Sequence, residues 1–210
     1  MMLVEETAPP AAALPVEGLR AHLRLGTGFA PGPEAAEDAA LASFLRAAVA
    51  AVEARTGKVL LTRRFRMRIE DWRDPQAQPL PLAPVASVDA VVLTDRAGEE
   101  TALPPEAWRL VPDNQRPLLR PGGGGAWLPA VPDGGFVTIT FTAGFGTGWD
   151  AIPADLAYAV ILLAGQYYED RGAAGLGAAL PFPVAALIER WRAVRTLGSR
   201  GGAALGSRGR

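Results

Sequence analysis

No cysteine occurs in the 210 residues. Disulfides, thiolate nucleophiles and cysteine-based metal sites are therefore excluded. Histidine is nearly as scarce, with His22 standing alone. That removes most zinc sites and most Ser-His-Asp arrangements, which need imidazole as ligand or base. Lysine is reduced to Lys58, and arginine supplies every other basic residue. Together with abundant Ala, Gly and Pro, this usage follows from a GC-rich coding sequence and needs no selection for guanidinium chemistry. An excess of one charge is missing too: Lys+Arg 21 against Asp+Glu 22 leaves a net charge of -1. A nucleic-acid coat with an overall basic field does not fit that balance. The longest apolar run, Leu156 to Gly165, is about half of the ~20 residues a membrane span needs. Glu5 and Glu6 stand where a signal peptide carries positive charge, and no apolar stretch follows them. These absences predict a protein that is soluble and intracellular at synthesis, without metal, cofactor or membrane contact, and they lead away from enzymes.

What is present suffices for a packed core, since 49% of residues are apolar and 20% charged, within the size of one ordinary domain. Residues 1–14 are Pro/Ala-rich without periodicity and read as a flexible leader. Pro15 stands where a helix would begin, with Val16, Leu19 and Leu23 on one face and Gly26 ending the run. A longer helix follows Pro33, with Glu34, Glu37 and Asp38 at its favourable anionic end. Its Leu41, Phe44, Leu45, Ala48 and Val52 keep helical spacing, and Gly57 is a natural stop.

The period then changes to two. Val59, Leu61, Phe65, Met67 and Ile69 share one parity, and Thr62, Arg64, Arg66, Arg68 and Glu70 the other, which describes a half-buried strand with a wet arginine face. Val88–Thr94 reads as a second strand, turned by Asp95–Gly98 onto Glu100–Leu103. Trp108–Val111, Leu118–Arg120 and Phe136–Ala143 are further strands, and no crossover helix separates them, so 58–145 is a mostly antiparallel β insert. Helix returns after Pro153 with an all-round apolar face, Leu156 to Ala164, marking a helix enclosed by neighbours. Pro183 opens a last helix with Val184, Leu187, Ile188, Trp191 and Val194 in a stripe. The expected class is α+β: helices 15–57 and 153–195 pack on each other around the insert, and 196–210 is a flexible basic tail.

Each candidate for chemistry meets a plainer account. Gly144-Phe145-Gly146-Thr147-Gly148 lies between strand and helix, but position 149 is Trp149 where a dinucleotide fingerprint needs glycine, and no P-loop lysine follows. It reads as a turn, as does Gly122–Gly125. His22 reads as a helix-end residue, and the pairs Asp71/Asp74 and Glu169/Asp170 as solvated charges. The arginines are different. From Arg190 onward there are six of them and no acid, a +6 end on a molecule of net charge -1. Such a segment orders on an anionic partner, protein or nucleic acid. The run Arg63, Arg64, Arg66 and Arg68 offers a second basic surface. A small nucleic-acid-binding module built on that face and the tail is the alternative reading.

The order of signals resembles the head–tail connector (adaptor) family of long-tailed bacteriophages and gene transfer agents. It runs from Pro15-Val16 and Leu19–Leu25, through the long helix ending Glu53-Ala54-Arg55-Thr56-Gly57, to Leu80-Pro81-Leu82-Ala83-Pro84-Val85 with Asp95-Arg96-Ala97-Gly98. Phe141–Gly146, Pro153 and the helix ending Tyr167-Tyr168-Glu169-Asp170-Arg171 carry it furthest. The resemblance implies a structural protein with no catalytic residues, forming a ring, typically a dodecamer, beneath the capsid portal. Its partners would be the portal protein, neighbouring copies of itself and a tail-completion protein (stopper or tail terminator), with DNA passing through unread. By that resemblance Arg190, Arg192, Arg195, Arg200, Arg208 and Arg210 are the candidates for portal contact. The arginine face of the strand is read separately, as a solvated face or, through Arg64, Arg66 and Arg68, an inter-subunit or docking face.

Overall fold

The computed structural model describes residues 1–25, 34–170 and 180–192. Four helices, α1 (Val16–His22), α2 (Glu34–Thr56), α3 (Ala154–Glu169) and α4 (Phe182–Ile188), enclose one apolar core. The enclosed helix of the sequence is α3, which buries Leu156, Ala159, Val160, Leu163, Ala164 and Gly165 and packs on α1, α2 and α4. Gly57 stops α2 with φ +68° and an N–H to the Glu53 carbonyl at 2.8 Å, a conformation glycine adopts without steric cost. α4 ends at Ile188, and a 3-10 turn over Glu189–Trp191 continues it. Val194, expected on the same stripe, lies outside the described residues. None of the described helices is long and apolar enough to cross a membrane.

The β unit holds two antiparallel sheets. β1 (Met2–Glu5), β2 (Arg63–Ile69), β8 (Phe136–Ala143), β4 (Val85–Thr94) and β5 (Glu100–Ala102) lie side by side in that order. β3 (Gln78–Pro79), β7 (Leu118–Pro121) and β6 (Trp108–Val111) form the smaller sheet. A second apolar core joins Phe65, Met67, Val91, Ile139 and Phe141 of the larger sheet to Leu119 of the smaller and to Trp72 and Leu128. Alternation is strict on β2 and β8, so one face of the larger sheet is apolar and the other carries arginine and threonine.

Three expectations need correction. Residues 1–14 are not a loose arm. Met2–Glu5 pairs with β2 from Met2↔Arg68 to Glu5↔Phe65, and Leu14, 7% exposed, joins the helical core. The strand docks because β2 would otherwise be a bare edge, and because Leu3 has the β core to pack on. Strand geometry begins at Arg63 rather than Val59. Val59, Leu60 and Leu61 are all buried, Val59 in the β core and the other two in the helical one, since the chain threads between the cores there. Finally, β4 starts at Val85, and two register shifts place Val85, Val88, Val91 and Leu93 inward, breaking the two-residue period that sequence reading relies on.

Candidate functional site

The outward face of β2 sets Arg64, Arg66 and Arg68 opposite Thr142, Thr140 and Thr138 of β8. All three arginines are exposed, but two are already engaged. Arg64 Nε lies 3.3 Å from Glu6 and 3.6 Å from Asp89, and Arg66 Nε lies 3.2 Å from Glu6. Arg68 instead stacks its guanidinium 3.3 Å from the centre of the Phe136 ring, a cation–π contact. A groove of about 430 Å³ runs over this face, walled by the three arginines, Met2, Phe136 and Glu100.

Arg63 does not belong to this face. Its parity is that of Phe65 and Met67, and its side chain is 7% exposed. It bridges Glu5 of β1 at 3.0 Å and Glu53 of α2 at 2.5 Å. Glu53 also accepts the Leu60 N–H at 2.8 Å. Burial raises the Glu53 carboxyl above its ordinary range, and Arg63 and the Leu60 N–H offset only part of that. This cluster ties the N-terminal strand, the long helix and the sheet together. Sequence reasoning missed Glu53, although the odd position of Arg63 in an alternating strand is the signal that its partner must be buried. Lys58, 1% exposed, donates from Nζ to Gln115 Oε1 at 2.7 Å. Burial pushes its ammonium below the usual range, and the Asp113 carboxylate acts in the opposite direction.

At the other end, Arg190 Nε and Trp191 Nε1 both donate to Asp155 Oδ2, each at 2.6 Å. Burial works against the Asp155 charge, yet the Arg190 and Trp191 donors hold its carboxyl below the ordinary range. The Trp191 ring meets Phe145 edge-on at 5.7 Å. Arg192 pairs with Glu189 at 3.0 Å. The side chains of Arg190 and Arg192 remain 69% and 57% exposed, so both present charge outward from the root of the tail. Arg195, Arg200, Arg208 and Arg210 lie outside the described residues.

The remaining candidates behave as local structure. His22 meets Tyr158 edge-on at 6.5 Å, and among the described residues no cluster of three His, Asp or Glu could hold a metal. Asp71 and Asp74 accept the N–H groups of Trp72 and Gln76, as turn carboxylates do. Gly144 has φ +139°, and a Cβ there would sit 2.4 Å from Thr62 Cα. The glycine is needed because β8 leaves the sheet against the backbone of 61–62, where Thr62 N–H bonds the Gly146 carbonyl at 2.8 Å. Among the described residues the surface offers two exposed arginine regions, one on β2 and one at Arg190 and Arg192.

No family model matches the sequence, and no curated protein does. Solved structures do. A chain in the neck of an empty gene transfer agent particle, computed with C6 symmetry, is 57% identical, with 95% of this chain and 100% of that chain covered and a TM-score of 0.84. The chain belongs to the gene transfer agent neck proteins. A chain in the virion of a native gene transfer agent particle is likewise 57% identical over 95% and 100% of the two chains, with a TM-score of 0.81. A third, from the neck of a native particle computed with C12 symmetry, is 52% identical over the same shares, with a TM-score of 0.80. As a member of this family the protein is a structural component of the particle neck. Its two arginine regions therefore call for a reading as contact surfaces in an assembly.

Proposed function

We propose that this neck protein is the head–tail connector (adaptor) protomer, forming a ring under the capsid portal, linking it to the tail and leaving a channel for DNA. The observation that carries the reading is the likeness, over 95% of the chain, to neck chains in structures computed with C6 and C12 symmetry. Cyclic assembly needs a protomer that meets its neighbours through two different faces, and the body described above offers a helical unit and a β unit. The tail arginines Arg190, Arg192, Arg195, Arg200, Arg208 and Arg210 contact the portal protein. Arg64, Arg66 and Arg68 face a neighbouring copy or the tail-completion protein, with Arg68 the least committed within the protomer. The tail, basic and without acids, suits an anionic contact surface by its charge.

Imaging particles made in cells lacking the protein tests this. DNA-filled heads without tails are expected, and tailed heads would overturn the reading. Charge reversal at Arg200, Arg208 and Arg210 should weaken capture of the protein by portal-bearing heads, with a steeper effect at low salt.

A further inference from the structure

The larger sheet ends in β1 on one side and β5 on the other, and Glu100, Thr101 and Ala102 of β5 are all exposed. In an antiparallel pair, alternate residues exchange backbone bonds and the residues between them point away. The Glu6 N–H bonds the Arg64 carbonyl at 2.8 Å. With the register Met2↔Arg68 to Glu5↔Phe65, this turns the backbone of Met2, Val4 and Glu6 toward β2. Leu3 and Glu5 therefore aim N–H and C=O at the open edge. On β5 the Leu103 N–H bonds the Val91 carbonyl at 2.8 Å, and the Asp95 N–H bonds the Glu99 carbonyl at 3.0 Å. By the same rule Glu100 and Ala102 point their backbone outward. Among the described residues no backbone bond from another element reaches these groups.

Direction and facing decide whether the two edges fit each other. Each strand of the sheet runs antiparallel to its neighbour, so β1 and β5 run the same way. Leu3 lies opposite Met67 and Thr101 opposite Leu93. Both partners are buried, which puts Leu3 and Thr101 on the core side of the sheet and Glu100 and Ala102 on the arginine side.

In parallel pairing a residue bonds the two that flank its opposite number. Leu3 set opposite Thr101 of another copy would reach the Glu100 C=O and the Ala102 N–H, with both side chains on the core side. Antiparallel pairing would set Leu3 opposite Glu100 or Ala102 and turn the core of one copy toward the arginine side of the next. One-twelfth or one-sixth of a turn, the step of the symmetry in which the related necks were computed, reverses neither strand direction nor sheet face. The parallel arrangement is the one that both the edges and a ring allow. Pro104 has no N–H to extend the ladder, and so short an edge holds free copies together only weakly.

We propose that β1 of one protomer joins β5 of the next by parallel strand addition, Leu3 opposite Thr101. The arginine faces of all copies then lie on one side of the joined sheets. The inference rests on the ring reading and says which edges close the ring.

Because the chain contains no cysteine, introduced thiols report cleanly. In this register Val4 lies opposite Ala102 on the arginine side, at the roughly 5 Å Cα spacing that a disulfide spans. Mild oxidation of necks assembled from the double variant Val4→Cys, Ala102→Cys should give a ladder of dimers, trimers and higher multimers on non-reducing denaturing gels. Neither single variant should give one. Rings visible by electron microscopy without a ladder would overturn the inference and leave the ring reading standing. The pair Val4→Cys, Thr101→Cys uses the same strands but opposite faces, so a ladder from it would mean antiparallel pairing and would also overturn the inference. An absence of rings from the unmodified protein would instead refute the ring reading. As a second measurement, Ala102→Pro removes an N–H that points away from β4. It should leave circular dichroism and thermal unfolding of the isolated chain unchanged while abolishing rings. Rings of normal abundance from that variant would be contrary evidence.

Discussion

Replacing Arg63 by methionine isolates the buried charge cluster that joins β1, α2 and β2. Methionine keeps most of the aliphatic bulk of arginine and removes the guanidinium. Glu53, whose side chain is 15% exposed, is then left with the Leu60 N–H as its remaining donor. Glu5, 39% exposed, stays solvated and adds little. Removing one partner of a buried ion pair costs about 3–5 kcal/mol, because the other charge stays desolvated. In a chain of this size each kcal/mol moves the melting temperature by roughly 2–4 °C, so Arg63→Met should melt about 10 °C lower near neutral pH.

The pH dependence gives the sharper test. The folded-state value of Glu53 already lies above its reference of 4.5, burial being the largest cause. Its stabilising contribution is therefore complete below that reference and is lost as pH rises through the folded value. Without Arg63 the folded value moves further up, so the deficit of Arg63→Met should shrink on going from about pH 7 to about pH 5. The double variant Glu53→Gln, Arg63→Met should recover most of the loss at neutral pH. Thermal and urea unfolding at both pH values measure all of this. A cost below about 1 kcal/mol, or a deficit equal at the two pH values, would refute the picture of an uncompensated buried carboxylate.

Three other outcomes follow from the same geometry. Gly144→Ala places a Cβ against the 61–62 backbone at φ +139° and should cost more than about 2 kcal/mol in urea unfolding, well beyond an ordinary surface change. Asp155→Asn weakens two charge-assisted bonds at the tail root and should cost about 1–2 kcal/mol, with the exposed Arg190 share screened by salt. Since the Asp155 carboxyl is held low, its contribution is present above its unfolded value of 3.8 and disappears as pH falls through the folded one. Deleting residues 1–6 bares the edge of β2 and should yield a folded chain that self-associates, seen as a rise in mass by light scattering.

Much of the architecture was legible because periodicity is a local property. The spacing of Leu41 to Val52, the alternation of Phe136–Ala143 and the enclosed composition of Leu156–Ala164 each encode one element, and each matches α2, β8 and α3. The errors lie where two elements far apart in sequence determine the outcome. The leader has no period of its own, and its strand exists only because β2 offers an open edge. Arg63 looked like one more basic residue until Glu5 and Glu53 closed around it from other elements. Arg190 was legible as charge but not as half of a clamp with Trp191, since their shared partner Asp155 lies 35 residues from Arg190.

Composition and pattern alone excluded thiol chemistry, specified helices flanking an antiparallel insert and gathered cationic charge at one end, because each of these depends only on residue identity and short-range spacing. The pairing of strands, the path of 59–61 between two cores and the buried partners of Arg63 and Lys58 came from packing. They depend on which distant surfaces are brought together, and burial energies of that kind are set by neighbours that no local stretch of sequence contains.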